Sequence, residues 1–287
     1  MTAAAEKPGG RGRTAAVTAT DLLTATASRI ADAFHGSLPV RDLYSPEGAR
    51  MYDAFTQEDH SEVREFLRLA RGCPGPILDL ACGSGRLTLP LRALGRDITA
   101  LDSSSEMLRI LSERLTQARA HVTGQVNFVE ADMADFRLDH RFGLVLLGAT
   151  SITLLDRLGR AALFERVNAH LLPDGRFLLT ALEFDGCSDI GDETVRVVIA
   201  KNGTDPALHL FTEQLDPAQG IRTVSILRQT LHGGEVTHSE LFTTRVHTVT
   251  VESLRAELEA AGLAVHARHP VATGGSAYRV TLLECSS

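Results

Sequence analysis

The residues whose type and spacing most clearly suggest chemistry are Gly83 and Gly85, within the stretch ILDLACGSGRLTLP at 77–90. They follow a short apolar run that predicts a buried strand, and they precede a run that predicts a helix. Glycine at such a turn lets the backbone approach a ligand closely, and the free N–H groups of a helix start attract polar ligand groups. The spacing therefore predicts a ligand site at the carboxyl end of this strand.

Two phosphate-binding patterns use this position, and the residues that follow Gly85 separate them. A dinucleotide turn has the pattern G-x-G-x-x-G, but Thr88 stands where its third glycine would be. The match to a nicotinamide-dinucleotide turn is therefore partial. A phosphate loop of the pattern G-x-x-x-x-G-K-[ST] is excluded, because no lysine follows these glycines.

The order of residues from Asp79 to Gly85 resembles the first motif of the class I S-adenosylmethionine-dependent methyltransferases, acid–x–small–x–Gly–x–Gly. Ala81 and Gly83 fill its middle positions. S-adenosylmethionine carries no phosphate, so the third glycine is not needed. The resemblance implies that Asp79 helps to hold the ammonium group of this cofactor, and that the glycines admit its ribose and sulfonium arm. The product would be S-adenosylhomocysteine.

Two positions downstream extend the resemblance, which covers roughly 75–183 and 251–285. Asp102 ends the second predicted strand, where a carboxylate can accept hydrogen bonds from two ribose hydroxyls. After the third strand, Asp132 is expected to bind the exocyclic amine of adenine and Met133 to cover its ring. The expected cofactor-binding residues are Asp79, Ala81, Gly83, Gly85, Asp102, Ser103, Met107, Asp132, Met133 and Gly148.

Short apolar runs alternate with helical patterns around these residues, which predicts a parallel sheet covered by helices on both faces. The predicted strands are 77–81, 97–101, 126–130, 142–147 and 176–182, and the predicted helices between them are about 86–94, 104–117 and 156–172. Ser103 and Glu106 fit a capping box for the second helix, and a turn is expected at 173–176.

The segment 186–250 differs, because its β-rich runs are joined by NG, DPAQG and HGGE, a pattern typical of an antiparallel meander. A helix at 251–261, ended by Gly262, and two strands at 264–269 and 277–284 follow. The connection between these last strands is too short for a crossover, so the pair must be antiparallel.

These elements predict an α/β, Rossmann-like methyltransferase sheet with an antiparallel last strand, a helical N-terminal cover and a meander insert. The expected domains are a disordered tail at 1–20, the cover at 21–72, the cofactor-binding core at 73–185 and 251–287, and a meander lid for the substrate at 186–250.

Composition narrows the class of partner. The 287 residues carry a formal net charge of −7, and an acidic chain without a basic stripe is not expected to bind nucleic acid. The lack of a long apolar run or signal-peptide pattern predicts a cytoplasmic protein without a membrane partner. We expect reduced thiols and no metal site, because metal-ligand spacing is absent around Cys73, Cys82, Cys187 and Cys285.

The segment LLGATSITLLD, after the fourth predicted strand, narrows the acceptor. Methyltransferases of nucleobases or glutamine amides carry Asn/Asp-Pro-Pro-Tyr here, whereas this chain has GATS at 148–151. Catechol enzymes place a magnesium-binding aspartate here, and none directly follows Leu147. The comparison implies a small-molecule or peptide acceptor and no metal.

In layout the chain resembles the amino-sugar N,N-dimethyltransferases. At closer range, RDLYSPEGARMYDAF, DLACGSGRLTLPL, GATSITLLD and HLLPDGRFLLT resemble the methyltransferases of daptide-type ribosomal peptides, which dimethylate an amine at the peptide's C-terminus. The expected function is (di)methylation of such an amine in natural-product biosynthesis. A nucleotide-linked amino sugar, or the hydroxyl acceptor of a small-molecule O-methyltransferase, is the alternative.

The candidates for contact with the acceptor are few. Tyr44 and Tyr52 are expected to position the amine or form an aromatic wall, and Thr150, Glu183 and His209 are candidate substrate-binding residues. Two other classes are an NAD-dependent oxidoreductase and a silent cofactor-binding module. The residue at 88 argues against the first, and the acids at 79, 102 and 132 argue against the second. The oligomeric state does not follow from the sequence.

Overall fold

The computed structural model describes residues 19–56, 60–117, 124–184, 193–202, 205–272 and 278–287. In these ranges the helices are α1 (Ala25–Ala33), α2 (Pro46–Thr56), α3 (Val63–Ala70), α4 (Thr88–Leu91), α5 (Ser105–Gln117), α6 (Arg157–His170) and α7 (Val251–Ala260). The strands are β1 (Val40–Asp42), β2 (Ile77–Leu80), β3 (Ile98–Asp102), β4 (Val126–Glu130), β5 (Phe142–Leu147), β6 (Leu171–Phe184), β7 (Glu193–Asn202), β8 (Asp205–Asp216), β9 (Ile221–His232), β10 (Glu235–His247), β11 (Ala264–Val271) and β12 (Tyr278–Ser286).

A seven-stranded sheet forms the centre of the fold, in the order β11-β12-β6-β5-β2-β3-β4. Its strands from β2 to β6 pair in parallel, whereas β12 pairs antiparallel with β6 and with β11. The α/β class, the parallel strands and the reversed last strand are therefore confirmed. Strands β2 and β5 are buried at every position, as expected for central strands covered on both faces.

Helices cover both faces of this sheet. On one face α6 and α7 pack on the strands around Phe164 and Phe177, whose rings lie 6.4 Å apart. On the other face α3 and α4 pack through Phe66 and Leu91 against Ile98. Helix α7 ends as predicted, because Gly262 has φ +81° and the Leu263 N–H donates to the Leu258 carbonyl.

Three local predictions were wrong in detail. The helix expected at 86–94 is only the short α4, which continues as the 3₁₀ turn Arg92–Leu94. The turn expected at 173–176 lies within β6, where the pairing with β5 shifts register. The capping box does not form: Ser104 Oγ accepts from the Met107 N–H at 3.3 Å, so the cap is one residue later than predicted. Ser103 is exposed, and Glu106 pairs with Arg109.

A second sheet of five strands, in the order β1-β10-β9-β8-β7, contains the predicted meander. Strands β7 to β10 pair antiparallel with their neighbours, which confirms the meander. The N-terminal segment is not wholly helical, because β1 pairs in parallel with β10, with Val40 opposite Leu241. This short strand satisfies backbone groups along the edge of β10 that would otherwise be unpaired.

The N-terminal helices lie on opposite faces of this second sheet. Helix α1 packs on one face, where Thr24 and Thr212 are joined through their hydroxyls at 2.6 Å. Helix α2 packs on the other face, where Phe55 stacks on Phe211 with ring centroids 5.8 Å apart. Helix α2 also reaches α5 of the core, through Arg114 and Asp53 at 2.8 Å. It therefore lies between the second sheet and the cofactor-binding side of the core.

Among the described residues, Cys73, Cys82 and Cys285 are buried free thiols, and Cys187 lies outside those ranges. The predicted tail at 1–20 also lies almost entirely outside them. None of the helices described above is long and apolar enough to cross a membrane.

Candidate cofactor and substrate site

The glycine-rich turn follows β2 and contains three left-handed residues. Ala81, Gly83 and Gly85 have φ values of +47°, +55° and +91°. A Cβ at Gly83 would meet nothing within 4 Å, so this backbone faces open space where a ligand can approach. A Cβ at Gly85 would lie 2.2 Å from Leu111 Cδ1 on α5. Gly85 is thus required by helix packing, which differs from the ligand contact expected of it.

Asp102 ends β3 beside this turn, and the backbone holds its carboxylate on both sides. The Gly83 N–H donates to Oδ2 and the Ser104 N–H donates to Oδ1, each at 2.8 Å. Burial raises the pKa of this carboxyl, and the two N–H donors oppose that shift. Since a carboxylate has about four acceptor sites, Asp102 retains the capacity to accept hydroxyl groups.

Asp79 lies below the turn, with only 1% of its surface exposed. The hydroxyl of Thr88 donates to Asp79 Oδ2 at 2.6 Å, so the residue at the third-glycine position anchors the acid of the first motif. Burial raises the pKa of Asp79 to about 7, although the Thr88 hydrogen bond lowers it. The expected role of Asp79 toward an ammonium group stays a prediction.

The expected adenine-binding residues follow β4. Asp132 is exposed, and its Oδ1 accepts the Ala134 N–H at 2.8 Å, which shapes the turn. Met133 is 8% exposed and packs with Leu101 in the core. The Ala131 N–H donates to the Asp102 carbonyl, so this turn is tied directly to the end of β3. Met107, at the start of α5, is also buried.

Two consecutive left-handed residues follow β5. Ala149 and Thr150 have φ values of +55° and +54°, a conformation that costs a residue with a side chain about 1 kcal/mol or more. The Thr150 N–H donates to Thr180 Oγ1 at 2.9 Å, which helps to hold the turn. Such strain is found at functional sites, where the surrounding structure fixes the backbone.

Glu62 joins this turn to the glycine-rich turn. Its buried Oε1 accepts the Ala149 N–H at 2.7 Å and is ion-paired with Arg86, the residue after Gly85. A Cβ at Gly148 would lie 2.5 Å from Leu87 Cδ1 and 2.9 Å from the same oxygen, so the glycine makes room for both side chains. No sequence pattern indicates this contact, because Glu62 lies in a segment typical of the polar start of a helix.

Tyr44 and Tyr52 lie together, with ring centroids 6.2 Å apart. Tyr52 is on α2, whereas Tyr44 precedes that helix and is 45% exposed. The Tyr44 N–H donates to Asp42 Oδ1 at 2.6 Å, which fixes the turn between β1 and α2. The pair therefore lies along α2, where Tyr52 packs against the second-sheet cluster that includes Phe211.

Glu183 and His209 lie on different sheets. Glu183 is half-buried near the end of β6, opposite Arg279 of β12. His209 on β8 is 1% exposed, and its ring lies 5.7 Å from the ring of Phe55. Desolvation lowers the pKa of His209, and Arg228 adds to that shift. The candidate substrate residues thus do not form one cluster in the described structure.

Within the described ranges, the His, Cys, Asp and Glu side chains form no group of three or more that could hold a metal ion. Around the glycine-rich turn and the turn after β5, the described residues offer carboxylates, backbone N–H groups and hydroxyls, and Tyr44 and Tyr52 add aromatic rings.

The family described as "Methyltransferase domain" matches residues 77–175, which include the glycine-rich turn, Asp102 and the turn after β5. Among curated proteins, dTDP-3-amino-3,6-dideoxy-alpha-D-glucopyranose N,N-dimethyltransferase of Streptomyces fradiae is 34% identical over 142 residues. That alignment covers 46% of this chain and 52% of the relative, so the chain spans about half the length of this relative.

Among solved structures, the glycopeptide N-methyltransferase MtfA complexed with S-adenosyl-L-methionine is 30% identical to this chain. The match covers 78% of this chain and 92% of MtfA, with a TM-score of 0.56. DesVI of Streptomyces venezuelae has a TM-score of 0.66, covers 82% of this chain and 97% of its own, and is 20% identical. Because DesVI is only 20% identical to this chain, its comparison shows a shared fold.

Proposed function

Because the chain belongs to the class I S-adenosylmethionine-dependent methyltransferases, we propose that it methylates an amine nitrogen of a small molecule or peptide. The observation that carries this proposal is that the chain is 30% identical to an N-methyltransferase, 92% of which the match covers. The hydrogen bond from the Gly83 N–H to the Asp102 carboxylate, beside the open turn, supports it. The names of the amino-sugar relatives, which are N,N-dimethyltransferases, also support a nitrogen acceptor.

The residues around the glycine-rich turn fit the cofactor. Asp102 has acceptor capacity for the two ribose hydroxyls, and Gly83 leaves the backbone open to a ligand. We place the methionine arm near Asp79 and Gly148, and adenine against the turn at 132–133. When bound, S-adenosylmethionine supplies a methyl group already activated by its sulfonium centre.

The remaining work for the protein is to position a neutral amine and exclude water. Desolvation lowers the pKa of an amine, as does a nearby positive charge, so a strong general base is not required. We propose that Tyr44 and Tyr52 border the amine, because aromatic faces stabilise the ammonium product. Thr150, Glu183 and His209 would contact the rest of the acceptor, with the second sheet acting as its lid.

For the acceptor itself, we propose first the C-terminal amine of a daptide-type ribosomal peptide. The reason is that RDLYSPEGARMYDAF, DLACGSGRLTLPL, GATSITLLD and HLLPDGRFLLT resemble segments of the methyltransferases of such peptides. A nucleotide-linked amino sugar is the second candidate, and the curated relatives favour it. Each is an elongated molecule with an amine that could be methylated, and the same core would serve either. An O-methyltransferase of the same fold stays the third possibility.

The test presents the full-length chain and S-adenosylmethionine with matched acceptors. One pair is a peptide that ends in an amine and the same peptide that ends in a hydroxyl; the other is a dTDP-amino sugar and the corresponding dTDP-sugar. Mass spectrometry should show one or two methyl groups added to an amine-bearing member only. Transfer to the hydroxyl-bearing members alone would overturn the nitrogen acceptor, and Asp102→Ala is the inactive control.

A further inference from the structure

A polar row crosses the face of the second sheet on which α2 packs. His209 on β8 lies directly opposite Arg228 on β9, and Arg228 lies directly opposite Glu240 on β10. Side chains directly opposite one another on antiparallel strands point to the same face, with Cβ atoms about 5 Å apart. Phe55 of α2 covers His209, so this row lies under the helix that joins the second sheet to the core.

Buried polar atoms in this row have no hydrogen-bond partner among the described residues. They are both ring nitrogens of His209 and the Nε of Arg228. A buried polar group without a partner costs on the order of 1–3 kcal/mol, more when it is charged. Two neighbouring side chains that both carry this cost indicate a site built for a ligand.

Glu240 holds the Arg228 side chain in place. Glu240 accepts from Arg228 Nη1 at 3.0 Å, so one end of the guanidinium is held. Arg41 lies 4.0 Å from the other oxygen of Glu240, and His238 lies 3.7 Å from it. Two guanidinium groups thus face one carboxylate, which leaves a surplus of positive charge beside His209.

We propose that Arg228 and His209 together bind an anionic oxygen group of the acceptor, a carboxylate or a phosphate. The Arg228 Nε–H and one N–H of the neutral imidazole would donate to this group, and the second ring nitrogen would accept from a hydroxyl or amide of the same acceptor. This inference rests on the proposed function, since it assigns the part of the acceptor that lies far from the amine.

Arg228 lies far along β9 from the end of the second sheet that meets the core. The 3₁₀ turn Ser151–Leu154, which follows the strained turn after β5, contacts β10, and β10 leads directly to α7 of the core. On β9, Arg222 lies toward this end and Arg228 six residues farther out. Six residues of extended strand span about 20 Å. An acceptor that reached from this end of the sheet to Arg228 would therefore be an elongated molecule.

The test uses the full-length chain saturated with S-adenosylhomocysteine and two probes, inorganic pyrophosphate and succinate, measured by calorimetry. Arg228→Gln and His209→Phe should each weaken binding of the preferred probe by about tenfold or more, because a hydrogen bond to a charged group is lost. Arg245→Gln, which removes an exposed arginine from β10, is the matched control and should leave the Kd unchanged. Preference for pyrophosphate or succinate identifies a phosphate or a carboxylate as the natural group.

His209→Phe also separates a binding role from a structural one. Removal of an unpartnered imidazole in favour of an apolar ring should raise the Tm while it weakens the probe, whereas loss of a structural contact would lower the Tm. The proposal is overturned if the wild type binds neither probe, or if both variants bind the probe as tightly as the wild type does. It is also overturned if Arg245→Gln loses as much affinity for the probe as Arg228→Gln and His209→Phe do. Failure to methylate any amine while probe binding persists would instead refute the proposed nitrogen acceptor.

Discussion

Gly83 and Gly85 belong to one short turn, yet different neighbours require them. Gly83 faces open space, so apart from the cost of its left-handed backbone only a ligand limits which side chain fits there. Gly85 lies against Leu111 of α5, and its lack of a side chain lets that helix approach the turn. Gly83 is therefore expected to matter for ligand binding, whereas Gly85 is required for helix packing.

Alanine at each position should separate these two roles. Gly85→Ala adds a clash to a left-handed φ and should lower the free energy of unfolding by roughly 2–4 kcal/mol. Gly83→Ala should cost only about 1 kcal/mol of stability but raise the Kd for S-adenosylhomocysteine. Urea denaturation and calorimetry measure the two effects. Equal losses of stability in the two variants would contradict the assignment.

The buried carboxyl of Asp79 predicts an unusual dependence of stability on pH. Its pKa is raised to about 7 in the folded chain, mainly by burial, whereas an exposed aspartate titrates near 3.9. Between about pH 4 and pH 7 the folded state therefore holds more protons than the unfolded state. The free energy of unfolding should fall as pH rises through this window, by at most about 1.4 kcal/mol per unit from this group.

Asp79→Asn should remove this contribution, because the amide does not titrate. Urea denaturation at pH 5, 6, 7 and 8 would show a flatter profile for the variant than for the wild type. Thr88→Val deletes the hydrogen bond that lowers the pKa, and it should move the window of the wild-type slope to higher pH. An identical slope in wild type and Asp79→Asn would show that Asp79 does not titrate in this range.

At the scale of elements, the turns after β2 and β5 are joined by Glu62, which precedes α3. This carboxylate is 3% exposed and holds a backbone N–H of one turn and Arg86 of the other. A buried ion pair adds little net stability when intact, but removal of one partner leaves an unpaired buried charge. The two turns that border the site therefore depend on a residue from outside the central sheet.

Glu62→Ala should lower the free energy of unfolding by about 3–5 kcal/mol and weaken cofactor binding. The matched control is Glu65→Ala, in the first turn of α3, where the pair with Arg68 is partly exposed. That change should cost no more than about 1 kcal/mol. Urea denaturation measures both, and a loss at Glu62 as small as that at Glu65 would count against its role.

At the scale of the whole molecule, a ligand that binds only the folded state raises its stability by mass action. S-adenosylhomocysteine at 100 times its Kd should add about 2.7 kcal/mol, seen as a rise in Tm, and NAD should add nothing. The thermal shift should disappear in Asp102→Ala. A rise of Tm with NAD and none with S-adenosylhomocysteine would contradict the cofactor assignment.

The features that the sequence predicted best are those that local pattern determines. The all-apolar run of β5 must be a central strand, and the acid at the end of β3 must lie at the carboxyl edge where Asp102 is found. The meander could be predicted because its turns are marked by glycine, asparagine and proline. Each of these signals needs only the residues of one element.

The features that could not be predicted depend on contacts between distant segments. Nothing near Glu62 in the sequence shows that it lies between two turns, and nothing near Gly85 shows that Leu111 packs on it. The pairing of β1 with β10 likewise depends on a strand of three residues whose partner is far along the chain. Packing of this kind is decided in three dimensions, so propensity and spacing do not report it.

The parallel pairing of β1 with β10 also sets an order for folding during synthesis. Thr24, just before α1, bonds Ser225 across 201 positions of the chain. The strands from β2 to β6 emerge from the ribosome well before β10. The N-terminal helices are therefore synthesised before the strands of the second sheet on which they pack. Contacts of such long sequence separation slow folding, because loop closure must precede them. The apolar faces of α1 and α2 therefore lack their partners on β8, β9 and β10 until those strands have been synthesised.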